Sequence, residues 1–370
     1  MRYILSGGGT GGHIYPALAI ANEIASRDSD AEILYVGTPT GLEKELATKE
    51  GYRYKTVRVK GLPRKLNVES FKAGIELLKG MVDAKAIIKD FKPDVVIGTG
   101  GYVCGPILFE ASRKGIITLI QEQNAFPGMT NKLLGRSVDR IAIAFDEARK
   151  YFKNPEKCFM SGNPIRHEFV VFDREKGIEE NNLDRNLKTI VCFGGSGGQR
   201  SVNDAMIDAI KNFNVEDVQL IHITGKVHYD KFMNKLKENE IELSNNIRVL
   251  PYSYNIPSVL SAADLAIVSS SAMTLAEISA MGLPSILIPK AYTAENHQEY
   301  NARAYEDKGA SKVILESELN GELLFTESMK ILNDDALLKD MGEKSKSIAK
   351  VDATKIIVDE IEKLVNRSKG

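Results

Sequence analysis

One unit opens each half of this chain, and it narrows the fold more than any other feature. Tyr3-Ile4-Leu5 is an apolar run that enters Ser6-Gly7-Gly8-Gly9-Thr10-Gly11-Gly12-His13-Ile14-Tyr15-Pro16, after which Ala17, Ile20, Ala21 and Ile24 recur at helical spacing. Thr189-Ile190-Val191-Cys192-Phe193 enters Gly194-Gly195-Ser196-Gly197-Gly198 in the same way, and Val202, Ala205, Ala209 and Phe213 then share one helical face. A buried strand, a glycine loop and a helix make the first βα turn of a doubly wound domain. Two such turns predict two such domains, and 370 residues exceed what one ordinary core holds.

Five glycines in six residues let the first loop approach another molecule closely. A loop of this kind at a helix N-terminus is a ready anion site. Pro16 suits the first helical turn, and His13 stands where it can face a substrate. The plainer reading is a tight turn whose glycines only permit close packing. Gly7, Gly9 and Gly12 also match G-x-G-x-x-G, a weak signal by itself. A dinucleotide site needs an acidic residue at the end of the second strand. That strand, Ile33–Val36, ends in Gly37-Thr38, and Asp30, Glu32 and Glu43 are out of place for the role.

Further strand candidates alternate with helical patterns: Val95–Ile97, Thr118–Ile120 and Ile141–Ala144, then Gln219–Ile223, Arg248–Leu250, Leu265–Val268, Ser285–Ile288 and Lys312–Ile314. Such alternation implies parallel sheets covered by helices on both faces. The fold class is therefore α/β, with two doubly wound domains facing across a cleft lined by both glycine loops. The hinge is expected near Pro164, dividing residues 1–163 from 164–350, and the charged tract Asp173–Lys188 is expected to be mobile surface. Ile357, Ile361, Leu364 and Val365 mark a last helix within 351–367 that can pack back on the first domain.

Formal net charge is -1, so no global basic field recruits nucleic acid. Cys104, Cys158 and Cys192 lie far apart without C-x-x-C spacing, which fits a reducing compartment and neither a disulfide framework nor a structural zinc site. No signal peptide is visible, and no apolar stretch approaches the ~18 residues that span a bilayer. The five histidines show no metal spacing, so no metal and no cofactor are expected. Only His13 is well placed as a general base.

Asp264 to Pro289 carries the most chemistry. A strand gives Ser269-Ser270-Ser271-Ala272-Met273-Thr274, then a helix with Glu277. Hydroxyls and amides at that helix N-terminus suit a diphosphate, and Glu277 suits two ribose hydroxyls. The plainer reading is a capping box, Thr274-x-x-Glu277. Gln298 and Asn301 share a helical face, and paired amides suit sugar hydroxyls; a solvated face is the alternative. Gln121-Glu122-Gln123-Asn124 follows a buried strand, where four polar residues are costly unless they bind something. Arg166, after Asn163-Pro164, suits a phosphate or a surface ion pair.

These stretches occur in one order: Gly-Gly-Gly-Thr-Gly-Gly-His13-x-x-Pro16, Gly100-Gly101-Tyr102-Val103-x-Gly105-Pro106, Gln121-Glu122-Gln123-Asn124-x-x-x-Gly128, Gly162-Asn163-Pro164-x-Arg166, Gly194-Gly195-Ser196 and Gln298-x-x-Asn301-Ala302. Together they resemble the MurG family, the bacterial N-acetylglucosaminyltransferases of peptidoglycan synthesis, over nearly the whole chain. The resemblance implies a GT-B architecture and inverting transfer of GlcNAc from UDP-GlcNAc to the 4-hydroxyl of MurNAc in undecaprenyl-diphosphate-linked lipid I, giving lipid II. It implies an acceptor domain first and a donor domain second. Carried over by motif, Arg166, Ser196, Tyr254, Met273, Thr274, Glu277 and Gln298 hold the donor, with Asn301 beside Gln298. Thr10, Gly11, Gly12 and Asn124 meet the transferred sugar or the acceptor, and His13 is the candidate base. Three departures from the family stand out: Ser269-Ser270-Ser271 for Arg-Ser/Ala-Gly, Gly197 for a glutamine, and Tyr254 for a smaller aliphatic residue. A UDP-sugar epimerase of the same fold and a non-catalytic nucleotide-sugar-binding module remain as alternatives.

A lipid-linked acceptor requires a membrane surface. Arg58 to Lys79 carries Arg58, Lys60, Arg64, Lys65, Lys72 and Lys79 against Glu69 and Glu76, interleaved with Leu62, Phe71 and other apolar residues. Leu62, Arg64, Lys65, Phe71 and Lys72 are expected to face an anionic inner-leaflet surface, making the protein peripheral on the cytoplasmic face. The alternative is an ordinary loop and amphipathic helix.

Overall fold

The structure, a computed structural model, describes residues 1–61, 68–195, 197–293 and 296–369. Two compact units emerge: Met1–Ile165 together with Lys350–Gly370, and Arg166–Ala349. Pro164 and Ile165 thus belong to the first unit, beyond the boundary expected after Asn163.

The first unit runs β1 (Arg2–Ser6), α1 (Gly11–Arg27), β2 (Glu32–Gly37), α2 (Leu42–Lys49), β3 (Arg53–Thr56), α3 (Val68–Phe91) and β4 (Val95–Gly98). It continues through α4 (Cys104–Arg113), β5 (Ile117–Glu122), α5 (Met129–Leu134), β6 (Arg140–Ile143) and β7 (Cys158–Met160). The seven strands form one parallel sheet, ordered β3-β2-β1-β4-β5-β6-β7.

The second unit runs α6 (Arg174–Glu180), β8 (Lys188–Phe193), α7 (Arg200–Phe213), β9 (Val218–Ile223), α8 (Tyr229–Glu238), β10 (Ile247–Leu250) and α9 (Ile256–Ser261). It continues through β11 (Leu265–Val268), α10 (Ala272–Met281), β12 (Ser285–Leu287), α11 (His297–Glu306), β13 (Ser311–Val313), α12 (Gly321–Leu332) and α13 (Asp335–Ile348). Its six parallel strands follow the order β10-β9-β8-β11-β12-β13.

Strand order reverses between β1 and β4 in one sheet and between β8 and β11 in the other. Ligands of doubly wound sheets bind beyond the carboxyl ends of the strands at such reversals. The loops after β1 and β4, and those after β8 and β11, therefore define a candidate site in each unit.

The last helix, α14 (Ala353–Lys369), packs on α1 of the first unit. Ile357, Val358, Ile361 and Val365 bury themselves with Ile14, Ile20 and Ile24 in one core cluster. Each such side chain contributes roughly 1.5–3 kcal/mol. Arg27 reaches Asp359 at 2.6 Å and Glu362 at 3.2 Å, but on the surface, where such pairs contribute at most about 1 kcal/mol. Apolar burial holds the helix and the ion pairs set its register.

Three expectations change. Pro16 lies inside α1, past its first turn, because the helix already starts at Gly11. With no N–H, Pro16 donates nothing to the Gly12 carbonyl, which loosens the turn that carries His13. Residues 173–188 are ordered rather than mobile: Asp173 caps α6 by accepting from Lys176 N, and α6 packs on α9 with Ile178 buried. Finally, β3 and β7, neither of them among the strand candidates, extend the first sheet at its two edges.

Candidate active site

In the first unit the glycine loop after β1 is fixed from below. Thr99 Oγ1 donates to the His13 carbonyl at 2.6 Å, and Tyr35 OH donates to the Gly7 carbonyl at 2.7 Å. The loop after β4 closes over it. Gly100 has φ +111°, and a Cβ there would stand 2.7 Å from His13 Cδ2. Gly101 has φ +81°, and a Cβ would stand 2.3 Å from the Gly8 carbonyl oxygen. Only glycine permits both the backbone and the approach.

Against that floor the half-buried His13 ring is oriented by its own loop. Nδ1 lies 3.0 Å from the Gly8 carbonyl oxygen and 3.4 Å from Thr10 Oγ1. A carbonyl only accepts, so Nδ1 carries a proton, and in the neutral ring the lone pair is then on Nε2. That is the tautomer a general base needs. Tyr102, half exposed on the loop after β4, stands beside Gly9.

The Gln121–Asn124 run is satisfied within the first unit. Gln121 Nε2 donates to Asn163 Oδ1 at 2.9 Å, and Gln123 Nε2 donates to Thr99 O at 2.5 Å and to Gln121 Oε1. Glu122 accepts from Asn124 N at 2.9 Å, Asn124 Nδ2 at 3.1 Å, Gly128 N at 3.2 Å and Asn131 Nδ2 at 2.9 Å. Burial pushes its carboxyl up, and these donors oppose the shift. The polar run therefore needs no ligand to be tolerated; it builds a rigid shelf on which Asn124 is partly exposed.

Glu43 folds back from α2 onto the end of β2. It accepts from Thr38 N at 3.0 Å and Thr38 Oγ1 at 2.6 Å, fully buried. An acidic side chain is present after the second strand, yet it is sealed against the loop and cannot take a ribose.

In the second unit, α10 is capped by Ser271, whose Oγ accepts from Thr274 N at 3.3 Å and donates to Thr274 Oγ1 at 2.8 Å. Thr274 is thus not the cap, and the capping box falls away. Glu277 lies in the second turn, half-buried. Loss of solvation pushes its carboxyl up to about 7, and the charge of Arg166 opposes that shift. Arg166 itself stands 4.9 Å over the Phe169 ring. Met273 is partly exposed beside the cap.

The serine triplet that departs from the family has a role in each position. Ser271 caps; Ser270 Oγ donates to the Gln298 carbonyl at 2.7 Å; Ser269 faces Gly195. Gln298 is buried, its Oε1 accepting from Lys290 N at 3.0 Å. Asn301 is fully buried and donates to Ser270 O at 3.2 Å. The Asn301 amide and the Gln298 main-chain carbonyl brace the loop before α10 from behind, while the Gln298 side chain holds the loop after β12. A side chain at Gly197 would meet open space, so the glutamine usual there would fit. Ser196 lies outside the described residues.

Tyr254 is 84% exposed. Its OH accepts from Lys226 Nζ at 2.9 Å, and its ring packs edge-on to Tyr252 at 4.8 Å. Leu62, Arg64 and Lys65 lie outside the described residues, as do the side chains of Phe71 and Lys72. Farther along α3, Ile75, Leu78 and Val82 form an outward apolar stripe, opposite Ala84, Ile87 and Ile88 in the core. Among the described residues no three His, Cys, Asp or Glu side chains are grouped to hold a metal ion.

Family models for the glycosyltransferase family 28 N-terminal and C-terminal domains match residues 3–143 and 189–357. A UDP-N-acetylglucosamine–N-acetylmuramyl-(pentapeptide) pyrophosphoryl-undecaprenol N-acetylglucosamine transferase of Finegoldia magna is 47% identical over 370 residues, covering 99% of both chains. The crystal structure of Acinetobacter baumannii MurG superposes with a TM-score of 0.78 at 28% identity, over 98% of this chain and 99% of that one. A UDP-GlcNAc 2-epimerase of Neisseria meningitidis bound to UDP-GlcNAc matches with a TM-score of 0.68, over 98% of this chain and all of that one. At 12% identity it shares the fold alone.

Proposed function

The chain belongs to glycosyltransferase family 28, and from that premise we propose that it transfers GlcNAc from UDP-GlcNAc to the 4-hydroxyl of MurNAc in undecaprenyl-diphosphate-linked lipid I, forming lipid II. The observation that carries this reading is His13, oriented through Nδ1 by the Gly8 carbonyl in a chain 47% identical to a transferase of that name. A passive nucleotide-sugar binder has no need of an oriented base, and an epimerase would bring its own acid/base carboxylates in its place.

In the reaction, the acceptor O4 attacks the anomeric carbon on the face opposite UDP. Nε2 of His13 takes the proton of that hydroxyl. The bond from the anomeric carbon to the diphosphate oxygen breaks, its electron pair leaves with UDP, and the configuration inverts. Thr10, Gly11, Gly12 and Asn124 lie around the reacting hydroxyl. Helix N-termini of the second unit stabilise the departing diphosphate, with Arg166 as its cationic partner. Glu277 accepts from the ribose hydroxyls. Met273, Thr274, Ser196, Gln298 and Tyr254 complete the donor side, and Asn301 supports it.

The acceptor is lipid-linked, while no helix among the described residues is long and apolar enough to cross a membrane. The protein therefore docks peripherally, at the cytoplasmic face, through α3 and the basic stretch before it. The outward stripe of α3 supports this; α4 packs beside it and exposes Phe109, and α5 beside α4 exposes Met129 and Leu133.

The direct test is UDP release with UDP-GlcNAc plus a lipid I analogue, against UDP-GlcNAc alone. Acceptor-dependent release supports transfer. Binding without release would leave a nucleotide-sugar module, and conversion of UDP-GlcNAc to a second sugar nucleotide would mark an epimerase.

A further inference from the structure

One carboxylate that no sequence motif marks joins the two loops of the second unit on which the donor assignment rests. Glu316 follows β13 and is half-buried. Its Oε1 accepts from Gln199 Nε2 at 2.8 Å and from Ser201 Oγ. Its Oε2 accepts from Ala291 N at 2.9 Å. Gln199 and Ser201 sit where the glycine loop after β8 becomes α7. Ala291 belongs to the loop after β12 that leads to Gln298.

A second bridge runs beside the first. Lys290 Nζ donates to the Gly198 carbonyl at 3.0 Å, and Lys290 N donates to Gln298 Oε1 at 3.0 Å. Glu316 and Lys290 thus close a ring: glycine loop, carboxylate, Ala291, Lys290, and back to the glycine loop. Gln298 hangs from that ring.

We propose that Glu316 is a positioning residue for donor binding, holding the glycine loop and the Gln298 loop in one fixed geometry before UDP-GlcNAc arrives. The proposal rests on the assignment of the donor to the second unit. Its bonds are charge-assisted and hence stronger than neutral ones. Three donors converge on one carboxylate, and loss of solvation is outweighed by them and by Lys290, so the group stays ionised. A loop ordered on folding is not ordered at the expense of affinity when the ligand binds.

The geometry separates two substitutions. Glu316→Ala removes every arm. Glu316→Gln keeps an oxygen for Ala291 N and offers an NH₂ to the Ser201 hydroxyl, which can turn to accept it, but it loses the Gln199 arm, because Gln199 Nε2 also donates to the Ile288 carbonyl at 3.3 Å and is held as a donor.

UDP-GlcNAc binding by calorimetry, KM for each substrate and thermal unfolding read the outcome. Glu316→Ala should weaken UDP-GlcNAc about tenfold or more, leaving the acceptor KM unchanged. Glu316→Gln, which keeps two of the three arms, should bind the donor more tightly than Glu316→Ala and more weakly than wild type. Donor affinity unchanged in Glu316→Ala overturns the proposal. So does a loss of stability with equal losses on both substrates, the mark of a merely structural role. If Glu316→Ala does not fold, Ser201→Ala decides: weaker donor binding at normal stability supports the clamp, and unchanged binding overturns it. Glu277→Ala is the control for the underlying assignment. Donor binding unaffected by Glu277→Ala places the donor elsewhere, a result distinct from failure of the Glu316 variants alone.

Discussion

The imidazole Nδ1 of His13 lies 3.0 Å from the carbonyl oxygen of Gly8, in the same loop. The contact fixes the tautomer, because a carbonyl can only accept. A sugar hydroxyl is a poor nucleophile at neutral pH, and a positioned general base contributes roughly 10²–10⁴ in rate. His13→Ala should lower turnover by that order, with UDP-GlcNAc affinity nearly intact. Full turnover in the variant would show that another group removes the proton.

Gly100 tests the floor beneath that ring. Its φ of +111° costs a residue with a Cβ on the order of 1–3 kcal/mol. The added Cβ would also stand 2.7 Å from the His13 ring and displace it. Gly100→Ala should lower thermal stability and cut kcat by more than tenfold on the same general-base argument. Unchanged kcat would mean that the ring position is immaterial to catalysis.

Much of this was legible in the sequence because the chemistry is local. The two glycine loops, their strands and their helices depend on adjacent residues, and both sheets follow from the repeated alternation. What escaped depends on partners distant in sequence. Arg53–Thr56 is an edge strand with little apolar face to mark it, and β7 is an edge strand of three residues, too short to show a pattern. The tract after Asp173 looks like solvated charge, yet Ile178 and the contact of Gly177 with Ser261 dock it on α9. Read locally, the buried Gln121–Asn124 run demands a ligand, because Asn131, Asn163 and Thr99, which satisfy it, lie elsewhere in the chain. Asn301 has the spacing of a sugar contact, and only the fold shows that its amide also donates to Ser270 O. Glu316 carries no motif; only the fold brings Gln199, Ser201 and Ala291 to it.

Glu277 gives a pH dependence with a definite sign. Loss of solvation raises its carboxyl from the ordinary 4.5 to about 7, with Arg166 opposing. The folded state then holds a proton that the unfolded state releases, so the stability tied to this group is present below about pH 4.5 and lost as pH rises to about 7. Ribose hydroxyls donate to the carboxylate form, so donor binding should instead strengthen as pH rises to about 7 and then level off. UDP-GlcNAc suits the measurement because its diphosphate diester keeps its charge over this range. Glu277→Gln should flatten both profiles, and Glu277→Ala should weaken donor binding by ~2–3 kcal/mol. An affinity independent of pH in the wild type would remove Glu277 from the ribose.

The membrane prediction turns on α3. Arg58 is engaged by Asp83 at 2.6 Å and Lys79 by Glu76 at 2.8 Å, so these two add less attraction than their number suggests. Lys60, Arg64, Lys65 and Lys72 against Glu69 leave a smaller excess, about 3 kcal/mol on an anionic surface. Charge alone is then weaker than millimolar binding. The apolar stripe decides the outcome: Leu78 is 69% exposed and Val82 64%, one helical turn apart. Inserting each adds about 1.5 kcal/mol or more, which brings the total into the range of reversible docking. The protein should bind anionic vesicles in a salt-sensitive way and neutral ones little. Leu78→Glu with Val82→Glu alters only exposed positions, so folding should be unaffected while vesicle binding is lost. Changing Arg64, Lys65 and Lys72 to Glu should abolish binding as well. Either set should slow transfer to a lipid-linked acceptor far more than to a soluble analogue. Equal losses on both acceptors would assign the patch to folding or catalysis instead, because a docking surface has nothing to offer an acceptor already in solution.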